Sequence, residues 1–373
     1  MLNYLVPNDA RTLVEHNIGA CQNLSLIMAR YIPKEAIDKA NVPDQRNKKW
    51  HEVWLKERLA GLKVPPELVT GQYARWDAKT KGAARFKRRL SSRMIIGLGG
   101  KGPLEIGITL DYITGLPTIP GSALKGLART YALYAIAEQF GVPVLTEPAA
   151  SEYHGRGRQD GKRKTPLDLL NEWLAAPDAE KNGARARAEA LHELTIAVGD
   201  AIQCGTPVMA VFDPIGLEAS PDAVLFRLAF GSNAQSGFAV FHEAVVSAAG
   251  TSGKLFELDV MTVHFKKYYD DANGSSGPNR PPADDDSPNP INFITVAEGT
   301  EFEFAVGVRR NAAGARILRE EFYRLLGAEV DNLPDDQLFN EVVRAARKWL
   351  LSAVGVFGVG GKTAAGYGYF VKP

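Results

Sequence analysis

Residues 335–373 read DDQLFNEVVRAARKWLLSAVGVFGVGGKTAAGYGYFVKP, three structural units in a row. From Asp335 to Val354 the apolar residues recur at helical spacing, which predicts a strongly amphipathic helix. Six glycines follow between Gly355 and Gly368, and the run YGYFVK predicts a short terminal strand. A nucleotide-binding P-loop has the opposite order, strand then helix, and needs glycine at the position held by Val356. A tight turn needs fewer glycines than this. Residues without a Cβ let another backbone approach and let successive N–H groups face an anion. With a cation inside it, the loop reads as a grip on a ribose-phosphate backbone through Gly360, Gly361, Lys362, Thr363 and Gly366; a plain glycine-rich turn is the alternative.

Upstream of this unit lie FRLAFGS at Phe226, GFAVFHEAVVS at Gly237, KLFELDVMTVHF at Lys254 and INFITVAEGTEFEFAVGVRR at Ile291. Their composition and alternation predict strands and hairpins. Further back, TGLPTIPGSALKGLAR opens a helix that runs to Gly141 and Pro143, with Ser122 as its expected N-cap. Lys125 and Arg129 stand four apart on one face of it. They read either as phosphate contacts near the helix N-terminus or as the solvated bases of an ordinary capped helix. Before it, Gly97, Gly99 and Gly102 match a dinucleotide fingerprint, but Pro103 and an extended segment follow where a helix is required, which excludes that use. Lys101 lies in this loop and is a candidate RNA contact. The tract from Lys79 to Arg93 holds seven basic residues and no acid; it adds Arg88 and Arg89 as candidates and feeds an expected strand at Met94 to Ile96.

A strand, glycine loop and helix, then strands, then helix, glycine loop and strand predict an α+β fold with helices on one face of an antiparallel sheet. Residues 1–90 read as a helical N-terminal extension packed on the core, and residues 91–373 as the main domain. Polar insertions are expected at about 145–220, with one helix around Leu167 to Leu174, and at about 270–290.

Composition narrows the function. With 45% hydrophobic and 23% charged residues the chain has a globular composition. Its 44 basic and 43 acidic side chains leave a formal charge of +1, so nucleic-acid binding must come from local clustering. Cys21 and Cys204 form no metal-ligand spacing and fit a reducing compartment. The N-terminus lacks the pattern of a secretory signal, and no apolar run approaches ~18 residues, so a cytoplasmic protein off the membrane is expected. His16, His51, His154, His192, His242 and His264 show no metal-binding or paired spacing, and Asp284, Asp285 and Asp286 read as a solvated loop tip. No catalytic residue, metal or cofactor is therefore assigned.

The segments GLGGKGPLEIG, TGLPTIPGSALKGLAR and GVGGKTAAGYG, in that order, resemble the signature of the RAMP superfamily of CRISPR-associated proteins. The block VMTVHFKKYYDD through NPINFITVAEGTEFEF looks like the family of sixth Cmr subunits of type III-B complexes. The resemblance implies a ferredoxin-like or RRM-like fold decorated by insertions. It also implies guide RNA, target RNA and other Cmr RAMP subunits as partners, with the chain holding the guide toward its 3′ end. In a related repeating subunit an aspartate after the first strand cuts target RNA; Asp111 occupies a comparable place here and is expected to be structural. Two alternatives stay open, a RAMP endoribonuclease using Tyr367 and Lys362, and a module that binds only proteins.

Overall fold

A computed structural model describes residues 6–31, 56, 58–59, 62–99, 107–145, 158–159, 162–176, 181–204, 206, 210–247, 254–263 and 289–373. Helices α1 (Asn8–Asn17), α2 (Leu24–Arg30) and α3 (Pro66–Lys79) precede strand β1 (Ala84–Leu90). Strand β2 (Thr118–Ile119) leads into α4 (Gly121–Gln139), and a small hairpin, β3 (Arg158–Gln159) and β4 (Lys162–Arg163), precedes α5 (Pro166–Ala175). Then come α6 (Lys181–Gln203), α7 (Pro214–Glu218), α8 (Pro221–Phe230), β5 (Ala239–Phe241), β6 (Ala244–Val246), β7 (Phe256–Val263), β8 (Asn289–Val296) and β9 (Glu301–Val308). The chain closes with α9 (Ala312–Leu326), α10 (Asp335–Val356) and β10 (Phe370–Val371).

The main sheet runs β10-β1-β9-β6-β2, with β5 beside β9, and its pairings are antiparallel. Counting β5 and β6 as one strand, the chain visits the sheet in the order 4-1-3-2 of a ferredoxin-like βαββαβ unit, with α4 and α10 as its crossover helices. That strand is bulged. Phe241 pairs with Val306, whereas Val245 pairs with Glu303, so one extra residue sits at His242 and Glu243.

Alternation along the central strands decides which face each helix covers. Phe86 and Phe304 are register partners with stacked rings 4.9 Å apart, and Phe370 meets Phe304 edge-on at 5.4 Å. These rings pack toward α10, whose Leu338, Val342, Ala345, Trp349 and Leu350 recur every three to four residues and are buried. Pro334 precedes the helix, and Asp335 and Asp336 in its first turn complement the helix dipole.

The opposite face carries Glu301, Glu303 and Ala305, and α3 covers part of it. Trp76 packs on Val245 and Ala305 and donates its indole N–H to the Glu243 carbonyl at 2.7 Å, while the Tyr73 hydroxyl donates to Glu303 at 2.9 Å.

Several expectations need correction. The basic tract is itself the central strand β1, inside the span read as an extension, and Met94 makes only an isolated bridge with Val296. The run at Phe226 belongs to helix α8, capped by Ser220; every residue from Ala223 to Phe230 is buried, so no amphipathic stripe marked it as a helix. Helix α4 starts at Gly121 after Pro120, so Ser122 lies inside its first turn without capping it. The expected helix near Leu167 is α5, closed by a Thr165–Asp168 capping box, but the same polar insertion also holds the 23-residue α6. The loop at about 270–290 lies outside the described residues apart from Asn289 and Pro290, which open β8.

Trp76→Ala removes the packing that seals α3 to the sheet and should cost about 3 kcal/mol or more in chemical denaturation.

Candidate nucleic-acid interface

The C-terminal glycine loop begins where α10 ends. Phe357 packs edge-on against Tyr131 and Tyr134 of α4, with centroids 5.9 and 5.7 Å away. The chain then turns back and lies along the segment that follows β1. The Gly361 N–H donates to the Ile95 carbonyl at 2.8 Å and the Gly368 N–H to the Arg93 carbonyl at 2.9 Å, while the Val359 N–H closes the loop onto the Gly368 carbonyl at 2.8 Å. Two of the glycines are forced by this approach. A Cβ on Gly360 would lie 2.0 Å from the Ile95 carbonyl oxygen, and one on Gly368 would lie 2.0 Å from that of Val359. Two glycine-bearing segments, remote in sequence, therefore form one backbone seam.

Lys362 sits at the crest, exposed, with φ 55° and ψ 34°. Among the described residues no other non-glycine has a positive φ. A left-handed lysine costs about 1 kcal/mol, which the short turn Thr363–Ala365 and the seam hold in place. Gly366 is exposed beside it and Thr363 is half-buried. The far side of the loop is tied down by Tyr367, whose hydroxyl donates to Asp259, and Asp259 also meets Arg93 at 3.0 Å. Burial, then that hydrogen bond, raise the Tyr367 pKa, so the phenol keeps its proton at neutral pH. Asp259 is not among the sequence candidates, and Arg93 enters there only as the end of the basic tract; nothing local to either announces a contact made across such distances in the chain.

The remaining candidates are dispersed. Arg88 and Arg89 point to opposite faces of β1. Arg88 lies over the Phe86 ring on the helix side, and burial, then the charge of Arg347, lower its pKa. Arg89 and Lys87 lie on the other face beside Glu301 and Glu303, at 3.6 to 3.9 Å. The two arginines leave the strand on opposite faces because side chains alternate.

Lys125 and Arg129 do not join the glycine loop either. Arg129 is half-buried, donates to Asn171 at 2.7 Å and lies over the Phe226 ring. Burial, then Arg309 and Arg129, lower the pKa of Lys125. Arg309 follows the C-terminal end of β9, whereas the glycine loop abuts the residues after Leu90, which lies at the N-terminal end of β9. The Lys125 side of α4 thus faces the opposite end of β9 from the glycine loop.

Lys101 lies outside the described residues. Asp111 accepts from both the N–H and the hydroxyl of Thr114 at 2.7 Å through one oxygen, which shapes the turn to Gly115. Among the described residues no cluster of three His, Cys, Asp or Glu could hold a metal, and no helix is long and apolar enough to cross a membrane.

Comparison with known proteins places these features in a family. The chain is 27% identical over 292 residues, 77% of its own length and 67% of the relative's, to the CRISPR system Cmr subunit Cmr6 of Pyrococcus furiosus. The crystal structure of Cmr6 from Pyrococcus furiosus overlays 78% of this chain and 98% of its own at 23% identity and a TM-score of 0.36. A cryo-EM structure of the type III-B Cmr-beta bound to cognate target RNA overlays 97% and 87% at 15% identity and a TM-score of 0.42. The model of the RAMP superfamily matches residues 89–371, from the end of β1 to β10. With both glycine segments and most of the 4-1-3-2 sheet inside that match, the chain belongs to the RAMP superfamily.

Proposed function

We propose that the protein is a non-catalytic backbone subunit of a cytoplasmic type III-B Cmr effector complex that holds the 3′ part of a guide RNA and helps position target RNA. The observation that carries this reading is the seam, which presents Lys362 and exposed loop backbone on a support with little side-chain bulk. Such a surface suits phosphates and riboses, whose recognition needs charge and N–H groups but no base edges. The similarity to Cmr6 supports the choice of complex. Lys362, with Gly360, Gly361, Thr363 and Gly366, forms the proposed contact.

The endoribonuclease alternative has less support, because Tyr367 is engaged by Asp259 and keeps its proton. Incubation of the purified protein with repeat RNA should leave the RNA intact; cleavage abolished by Tyr367→Phe would reverse the assignment. An exclusively protein-binding role predicts that guide RNA is retained equally well without the Lys362 charge.

Lys362→Gly separates charge from fold, because glycine accepts the left-handed conformation. Its stability should stay within about 1 kcal/mol of the parent. RNA affinity should fall, and the slope of log affinity against log salt should become shallower by about 1. An unchanged slope in filter-binding titrations removes Lys362 from the interface. Gly360→Ala should act differently, displacing the seam itself, lowering thermal stability and weakening RNA retention at every salt concentration.

A further inference from the structure

A small polar cavity lies on the side of the sheet that α3 covers, away from α10. Helix α3 places Gln72, Arg75, Trp76 and Lys79 at positions i, i+3, i+4 and i+7, so the four share one face. With Asp111, Glu243 and Val245 they line a cavity of about 80 Å³. That is room for several water-sized groups, since a lone water needs only about 10–15 Å³. Trp76 and Val245, both buried, make part of the wall apolar, and the indole N–H is already committed to the Glu243 carbonyl.

The wall carries two cations and two carboxylates. Lys79 and Glu243 pair at 3.1 Å, Arg75 stands exposed, and Asp111 spends one oxygen on the N–H and hydroxyl of Thr114. With the two signs balanced, the cavity favours a neutral polar group over an ion. Gln72 indicates which kind. It is 4% exposed, and its Oε1 and Nε2 are both buried with no hydrogen-bond partner among the described residues. Such an amide has given up water and received nothing in return, which is costly. An acceptor beside a donor on one planar group is matched by a planar ligand with a donor beside an acceptor. Adenine presents this pair, its N6 amino group donating and N7 accepting, and a glutamine side chain engages both at once.

We propose that this cavity receives the edge of an adenine base, with Gln72 as its bidentate partner and the exposed Arg75 beside it for the phosphate that accompanies the base. The base can belong to a free nucleotide or to an unpaired adenosine in RNA, and both present the same edge to Gln72. The assignment does not rest on the glycine loop.

The test is equilibrium dialysis of the full chain against AMP, the monophosphate of purine riboside, which lacks the N6 amino group, and UMP. The same comparison is made by filter binding with a short oligouridylate carrying adenosine, purine riboside or uridine at one central position. Adenine should bind at least about fivefold more tightly than either alternative in one set or both, the lower end of what a bidentate base contact discriminates. Gln72→Leu should melt no lower than the parent, because it removes a buried unpaired amide, and should abolish the preference. No preference for adenine in either set, or one that survives Gln72→Leu, overturns the proposal. The ligand comparison needs no variant and decides the matter should Gln72→Leu fail to fold. A preference confined to the strands assigns the base to RNA, and one confined to the mononucleotides assigns it to a free nucleotide. Lys362→Gly should weaken all three strands alike and leave any preference for adenosine intact, so failure at one site is told from failure at the other.

Discussion

The structure depends on one contact in which almost no side chain takes part, the approach of the C-terminal glycine loop to the segment after β1. Backbone N–H groups of Gly361 and Gly368 reach the carbonyls of Ile95 and Arg93, and at Gly360 and Gly368 a single methyl group would occupy the space of a carbonyl oxygen. The seam fixes where β10 enters the sheet, and so completes the edge beside β1. It also anchors the end of α10, the helix that covers the Phe86, Phe304 and Phe370 cluster. Hydrophobic burial supplies most of the stabilisation of such a core. The seam determines that the last strand arrives in register.

Around it the molecule divides into a regular unit and its additions. The 4-1-3-2 sheet with α4 and α10 is the regular unit. Helices α5 to α8, inserted between α4 and β5, build a further helical layer on the same side, joined to α10 through Phe226, Phe230 and Trp349. Helix α3 closes part of the other side. A cavity with Arg187, Arg227 and Arg324 in its wall lies among the added helices and α9.

Where hydrophobic period and burial agree, the sequence is informative. The amphipathic α10, the glycine loop, the alternating β8 and β9 and the helix opened by the Pro-Gly turn are all legible, and together they specify the α+β class. Where burial surrounds an element, the period vanishes, as in α8. In a polar insertion the long α6 hides behind its charge. The bulge at His242 and Glu243 leaves no mark because one extra residue does not disturb a short apolar run. Of the candidate contacts, those in the glycine loop could be grouped because they are contiguous. The grouping of Arg88 with Arg89 ignores the alternation of a strand that had not been placed there. The grouping of Lys125 with Arg129 holds along the helix, yet it cannot reveal that Asn171 and Phe226 receive the arginine.

The inward orientation of the sheet's aromatic rings sets a limit on readout. Phe86, Phe302 and Phe304 spend their surfaces on the core, while on the other face Trp76 is sealed against Val245 and Ala305. Many single-strand binders stack bases on exposed rings of a sheet; the central strands here offer none. A polynucleotide held only at the glycine rim would be gripped by its repeating backbone, leaving its base order free to be dictated by a complementary strand.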